Sequence, residues 1–462
     1  MIFLDAPVGS GFSYAKNWEG YNISDTSSVA EIYEFLRKWL LVHPKFLSNT
    51  LYVMGDSYSG ITVPMVVQEI SDGNEASWEP RMNIKGYVLG NPLTSAHADF
   101  NARIPFAHLK TLISDELYES TKKDCNGEYI AVDPSNAACV DDLKVYTECT
   151  EQIRSSHVLE PTCQLLSPKP RPRVSKWDPD TLIEDSVDLL RSITHLPEPG
   201  RWCRAYNYLY SYIWANDKTV QKALHIREGS INEWVRCNES LVYTYDIKSS
   251  LSYHQNLIQK GYEVLIYSGD HDMVIPYIAT HAWIESLNLT IAHDWRPWFV
   301  DGQVAGFTMQ YTSKKYCLTF ATVKGAGHTA PEYKPKESLA MIDRPHEAEE
   351  WQPEPISTCF GSCFGRNWLY QPVSVAVLTE IGCISMFRWP YRFPFLPESA
   401  RFGPNQHESG QVGANKKKKK KKSQRVGHHI RLHETPMRRP WNCVGACFLG
   451  SNHCIIAGFS II

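Results

Sequence analysis

Four short runs of β-branched and aromatic residues, at 2–4, 51–54, 86–89 and 264–267, each give way to Gly, Asp or Pro within a residue or two. Such runs read as buried strands. Between them lie stretches of helical period. Residues 27–43 place Val29, Ile32, Phe35, Leu36 and Leu40 on one face, and residues 58–70 place Val63, Val66, Val67 and Ile70 in register. Strand, helix and strand in alternation predict an α/β chain whose mostly parallel sheet is covered on both faces. Catalytic groups in such a fold belong on loops at the carboxyl ends of the strands. The first strand begins at the first residues, an unusual place for a buried element because termini normally lie exposed. A preceding N-terminal portion is therefore expected.

Charge divides the 462 residues unevenly. The whole chain carries 47 basic and 50 acidic residues, a net of −3, which excludes a dominant nucleic-acid footprint. Residues 345–462 hold 15 basic and 8 acidic side chains, so +7 sits in the tail and −10 in residues 1–344. No stretch of about 18 uncharged apolar residues occurs, so no membrane span is expected. The N-terminus lacks the basic and small-residue features of a signal peptide. The expected organisation is a core in two parts, 1–94 and 215–344, an inserted cap at 95–214, and a disordered extension at 345–462. The proline-rich stretch from Lys169 to Pro199 reads as an exposed, protease-sensitive loop.

Residues 51–60, Leu-Tyr-Val-Met-Gly-Asp-Ser-Tyr-Ser-Gly, read as a strand, a sharp turn and a helix start. This is the pattern of a nucleophile elbow, with Ser57 projecting from the strand tip and Gly55 and Ser59 small enough for the turn. The backbone N–H of Tyr58 would then face a developing oxyanion. A serine hydroxyl needs a base oriented by a carboxylate, in the chain order Ser, Asp, His. The strand 264–267 leads into Ser-Gly-Asp-His-Asp, offering Asp272 with Asp270 as the nearby alternative, and His271 reads as structural. The Gly-rich run Lys324-Gly-Ala-Gly-His supplies His328 after a strand at 317–323 and before a helix at 335–342.

These segments resemble the serine carboxypeptidase family, and in particular its plant serine carboxypeptidase-like branch. The matching stretches are Phe-Leu-Asp-Ala-Pro-Val-Gly-Ser-Gly-Phe-Ser-Tyr at 3–14, Gly-Asp-Ser-Tyr-Ser-Gly at 55–60, Gly-Tyr-Val-Leu-Gly-Asn-Pro-Leu at 86–93, residues 213–224, Ser-Gly-Asp-His-Asp at 268–272 and Gly-Ala-Gly-His-Thr-Ala-Pro at 325–331. The resemblance implies an α/β-hydrolase fold with Ser57, Asp272 and His328 as triad, a secretory, vacuolar or extracellular home, and N-glycosylation. It implies no cofactor. Asp56, where family carboxypeptidases usually carry a Glu that binds the peptide carboxylate, is the implied substrate-binding residue. Its Asp form is similar to the branch that includes acyltransferases using glucose esters of phenolic acids. Peptide and glucose-ester substrates both stay open. The family also places a Trp-Asn-Gly-Gly-Pro-Gly segment upstream of residue 1, and its expected absence keeps a non-catalytic remnant as the alternative of a different class.

Seven cysteines in residues 1–344 point to disulfides rather than metal. The family pattern implies Cys125–Cys139 and Cys163–Cys203. It leaves Cys237 without its usual upstream partner, with Cys149 and Cys317 as candidate buried thiols. Asn22, Asn238 and Asn288 head N-x-S/T sequons. In the tail, Cys443, Cys447, His453 and Cys454 fit no usual zinc spacing, and the unbroken lysines 416–422 read as part of an unfolded extension.

Overall fold

The computed structural model describes residues 1–162, 204, 206–238, 240–342 and, as backbone, 453–458. Ten strands are present among them: β1 (Ile2–Leu4), β2 (Asn22–Ser24), β3 (Thr50–Asp56), β4 (Ile84–Gly90), β5 (Val242–Thr244), β6 (Glu263–Gly269), β7 (Thr290–Val300), β8 (Gln303–Ser313), β9 (Tyr316–Val323) and β10 (His453–Gly458). Eight form one sheet in the order β1-β10-β3-β4-β6-β9-β8-β7, parallel from β1 to β9 and antiparallel across β9, β8 and β7. Strands β2 and β5 pair in parallel as a separate ribbon.

The α-helices among the described residues are α1 (Asp25–Val42), α2 (Ser59–Glu75), α3 (Ala96–Asn101), α4 (Arg103–Leu109), α5 (Asp115–Asp124), α6 (Ala137–Thr150), α7 (Tyr206–Asn216), α8 (Lys218–Ala223), α9 (Leu251–Ile258), α10 (Tyr277–Ser286), α11 (Ala330–Tyr333) and α12 (Pro335–Ile342). Helix α1 starts two residues earlier than its apolar period suggests. Ser24 accepts from the Ser27 N–H while the Ser27 hydroxyl accepts from the Ser24 N–H, a reciprocal cap that satisfies two otherwise orphaned donors.

The sheet is apolar on both faces because its central strands alternate sides residue by residue. Leu51 and Val53 of β3, Tyr87 and Leu89 of β4, and Val264 and Ile266 of β6 join the larger core with Val29, Leu36, Val66 and Ile70 of α1 and α2. Their neighbours Tyr52, Met54, Val88, Leu265 and Tyr267 turn to the other face, against Ala330 of α11 and Met341 of α12. Covering on both sides is what a parallel sheet requires. The fold is an α/β hydrolase with a mixed sheet.

The β7–β8 hairpin departs from the alternating pattern read in the sequence. Its outermost strand β7 mixes exposed polar and aromatic residues and carries Pro297, which an edge strand tolerates because that position needs no ladder N–H. Register shifts within it blur any period of two. Between β4 and β5 the regular elements among the described residues are helices, and α4 builds a small core of Ile104, Phe106 and Ala107 with Ile113 and Met273. Cys125 and Cys139 are disulfide-bonded, joining the end of α5 to α6. Two cysteines differ from expectation. Cys149 is an exposed thiol on the outer face of α6, and Cys317 is disulfide-bonded rather than a thiol. Cys163, Cys203, the 169–199 loop and the lysine run lie outside the described residues, as does the tail apart from β10.

Candidate active site

Strand β3 delivers Ser57 into a turn that its own side chain disfavours. Its φ of +56° lies in the left-handed region, which costs a non-glycine residue about 1–2 kcal/mol. Backbone hydrogen bonds hold it there. Ser57 N–H donates to Gly90 O at 2.9 Å, and Ser57 O accepts from Gly60 N–H at 3.0 Å and Leu93 N–H at 2.8 Å. A Cβ on Gly60 would sit 2.4 Å from Leu93 O, so this close approach of α2 to the loop after β4 requires glycine. Tyr58 follows at the helix start, its ring fixed by an O–H donated to Asp25 Oδ1 at 2.6 Å. Asp25 also accepts the Tyr243 O–H at 2.8 Å and the Ile247 N–H at 2.9 Å. Burial and this carboxylate push the Tyr58 hydroxyl far above its ordinary range, so it acts as a donor.

The loops after β6 and β9 bring the other two groups. His328 Nε2 lies 2.8 Å from Ser57 Oγ, and its Nδ1 lies 2.8 Å from Asp272 Oδ2. Ser57 and His328 keep 6 % and 5 % of their surface accessible, whereas Asp272 is fully buried. Asp270, the alternative carboxylate, is turned elsewhere: its Oδ1 accepts from Gly325 N–H at 2.7 Å and lies 2.6 Å from His271 Nδ1. It ties the two loops together instead of meeting His328.

Sequence reasoning missed two members of this site. Asn91, just past β4, donates from Nδ2 to Asp272 Oδ2 at 2.8 Å and accepts from Gly269 N–H at 3.0 Å. Its φ of +39° is one that asparagine accepts more readily than most residues. A Gly-Asn-Pro ending on the strand beside the acid strand was the available signal. Arg103 of α4 is the second. Its guanidinium donates from Nε and Nη2 to Val274 O at 3.1 and 2.9 Å, and it stands within electrostatic reach of Asp272. Val274 and Ile275 N–H complete the carboxylate's partners at 2.7 and 3.2 Å.

Asp56 is buried, with Oδ1 accepting the Tyr267 O–H at 2.8 Å, and burial raises that phenol well above its usual range. Among the described residues no group of His, Cys, Asp and Glu is arranged to hold a metal ion, and no helix is long and apolar enough to cross a membrane.

A nucleophile elbow, with a histidine and an acid on successive strand ends of this sheet, defines an α/β hydrolase of the serine type by geometry. The chain belongs to the serine carboxypeptidase family, whose model, described as "Serine carboxypeptidase", matches residues 1–346. It is similar to serine carboxypeptidase-like 2 of Arabidopsis thaliana, 47 % identical over 344 residues that cover 74 % of this chain and 70 % of that protein. Serine carboxypeptidase-like 9 of the same plant is 48 % identical over 344 residues, covering 74 % and 71 %. Among solved structures, Kex1(Δ)p, a prohormone-processing carboxypeptidase from Saccharomyces cerevisiae, superposes with a TM-score of 0.52 at 18 % identity, covering 73 % and 72 % of the two chains. At that identity the likeness speaks for the fold.

Proposed function

We propose that the protein is a serine hydrolase that forms an acyl-enzyme at Ser57 and releases C-terminal residues from peptides. The observation that carries this reading is the unbroken chain from Ser57 Oγ through His328 to Asp272, with both contacts at 2.8 Å. His328 Nε2 takes the Ser57 proton as Oγ attacks the acyl carbon, and Asp272 holds Nδ1–H and stabilises the imidazolium. The Tyr58 N–H receives the oxyanion. The imidazolium then gives its proton to the leaving amine, and water, deprotonated by His328, releases the acid and restores Ser57. Asp56, one residue before the nucleophile, is assigned to substrate binding. The same residue favours a second reading, in which a bound alcohol replaces water and the acyl donor is a glucose ester of a phenolic acid.

Fluorophosphonate labelling with peptide mapping tests the first claim. Modification is expected at Ser57 and is lost in Ser57→Ala; labelling elsewhere, or none, refutes the acyl-enzyme and leaves a non-catalytic chain. A blocked dipeptide, and a phenolic glucose ester with an alcohol acceptor, then separate hydrolysis from transfer. A home in the secretory pathway is proposed from the Cys125–Cys139 disulfide, which persists in oxidising compartments. Asn22 and Asn288 are exposed acceptors for glycosylation, whereas the Asn238 amide donates to Gly9 O at 2.8 Å.

A further inference from the structure

A short segment following α6 runs between the two loops that carry Asp272 and His328. Its backbone holds both. Ser155 O accepts from Met273 N–H at 2.8 Å, Val158 N–H donates to His271 O at 3.1 Å, and Ser156 O accepts from His328 N–H at 2.7 Å. Contact is close enough that a Cβ on Gly327 would fall 2.2 Å from Ser156 O.

One side chain in the segment reaches both loops as well. The His157 ring stacks on His271, next to Asp272, with centroids 5.5 Å apart, and packs on Tyr333 of α11 at 4.8 Å. Its Nε2 lies 3.4 Å from Gly325 O, and its Nδ1 accepts from Leu159 N–H at 3.3 Å. That pattern fixes the neutral tautomer with the proton on Nε2, and burial, which holds its basicity below the ordinary range, agrees. The segment is itself braced. Arg154 Nη1 pairs with Glu160 at 3.3 Å, and Arg204 pairs with Glu160 at 3.0 Å while donating to Glu332 O, four residues beyond His328, at 2.9 Å.

We propose that His157 is a positioning residue, a spacer that sets the distance between the Asp272 loop and the His328 loop from a part of the chain outside the sheet. It touches neither substrate nor reacting atoms, and it acts by keeping His328 in line with both Asp272 and Ser57. This inference rests on the acyl-enzyme reading of Ser57.

The test is the concentration dependence of fluorophosphonate reaction with the full chain, for the wild type and for His157→Ala, His157→Gln and His157→Phe. In His157→Ala the limiting rate of Ser57 modification is expected to fall about 10- to 100-fold, the scale on which a displacement of about 1 Å acts. The half-saturating concentration and the final labelled fraction should stay at wild-type values, because a merely structural loss would lower the fraction that reacts. His157→Phe keeps the stacking on His271 and Tyr333 and should recover most of the rate. If His157→Ala does not fold, His157→Gln, which keeps a donor but loses the ring, decides by the same criterion. A limiting rate equal to wild type in the folded variant overturns the positioning role alone. Failure of the wild type to label at Ser57 overturns the acyl-enzyme reading, and the two failures are thereby distinguishable.

Discussion

Replacing Asn91 by glycine removes a clasp without disturbing the backbone, since glycine accepts the φ of +39° freely. Two buried hydrogen bonds disappear. The donor 2.8 Å from Asp272 Oδ2 serves a charged acceptor, and such bonds contribute about 1.5–3 kcal/mol. The Gly269 N–H, 3.0 Å from Asn91 Oδ1, loses its acceptor inside the protein, at a cost of about 1–3 kcal/mol. Together these predict a loss of about 2.5–6 kcal/mol, read as a lowered urea midpoint at constant slope. Asp272 keeps the N–H groups of Val274 and Ile275, so the rate of Ser57 modification should fall about 10- to 100-fold, less than the roughly 10⁴-fold known for amide replacement of a triad aspartate. Asn91→Asp sharpens the test. It sets a second carboxyl at hydrogen-bonding distance from Asp272, where two such groups cannot both ionise cheaply. Sharing a proton restores the contact, so the urea midpoint of this variant should lie closer to wild type at pH 5 than at pH 8. A destabilisation below about 1 kcal/mol in Asn91→Gly, or a pH-independent deficit in Asn91→Asp, would refute the reasoning.

Asp25→Ala leaves the buried hydroxyl of Tyr58 and the Ile247 N–H without their acceptor and should cost about 3–5 kcal/mol in thermal or urea unfolding, while Tyr58→Phe costs about 1 kcal/mol. Burial raises the Asp99 carboxyl to about 7, so the folded state holds a proton that the unfolded chain has already released. Stability should therefore fall as pH rises from about 4 to 7, and Asp99→Asn should flatten that slope in urea titrations at the two ends of the window. Removing the Cys125–Cys139 link by a double Ser substitution opens a loop of sequence separation 14 and should cost about 3 kcal/mol, with reductant lowering the wild-type melting temperature in the same direction.

The parts of the site that could be read from the sequence share one property: each is a local pattern. Ser57 follows a strand and precedes a helix, and Asp272 and His328 each sit in a glycine-containing loop just after a buried run. Spacing along the chain suffices to find such groups. The local pattern alone left Asp270 beside Asp272, the family resemblance pointed to Asp272, and the direction of each carboxylate places Asp272, not Asp270, against His328. Asn91 and Arg103 escaped notice for a related reason, since their partners lie 181 and 171 residues away. The β7–β8 hairpin was hidden by its composition: an edge strand with a proline and irregular register carries no clean alternation. Cys317 shows the limit of the disulfide reading, because burial alone does not distinguish a thiol from a bonded sulfur.

Ser57 and His328 stand 271 residues apart, on the loops that follow β3 and β9, and β4 and β6 lie between those two strands in the sheet. During synthesis the serine emerges early and goes without its proposed base, His328, until β9 has left the ribosome. A nascent or half-folded chain therefore carries an unactivated hydroxyl and cannot attack itself or its neighbours. On the acyl-enzyme reading, reactivity at Ser57 reports the assembly of β3, β4, β6 and β9, and a chain cut anywhere before His328 should be silent toward phosphonates however well its first half folds.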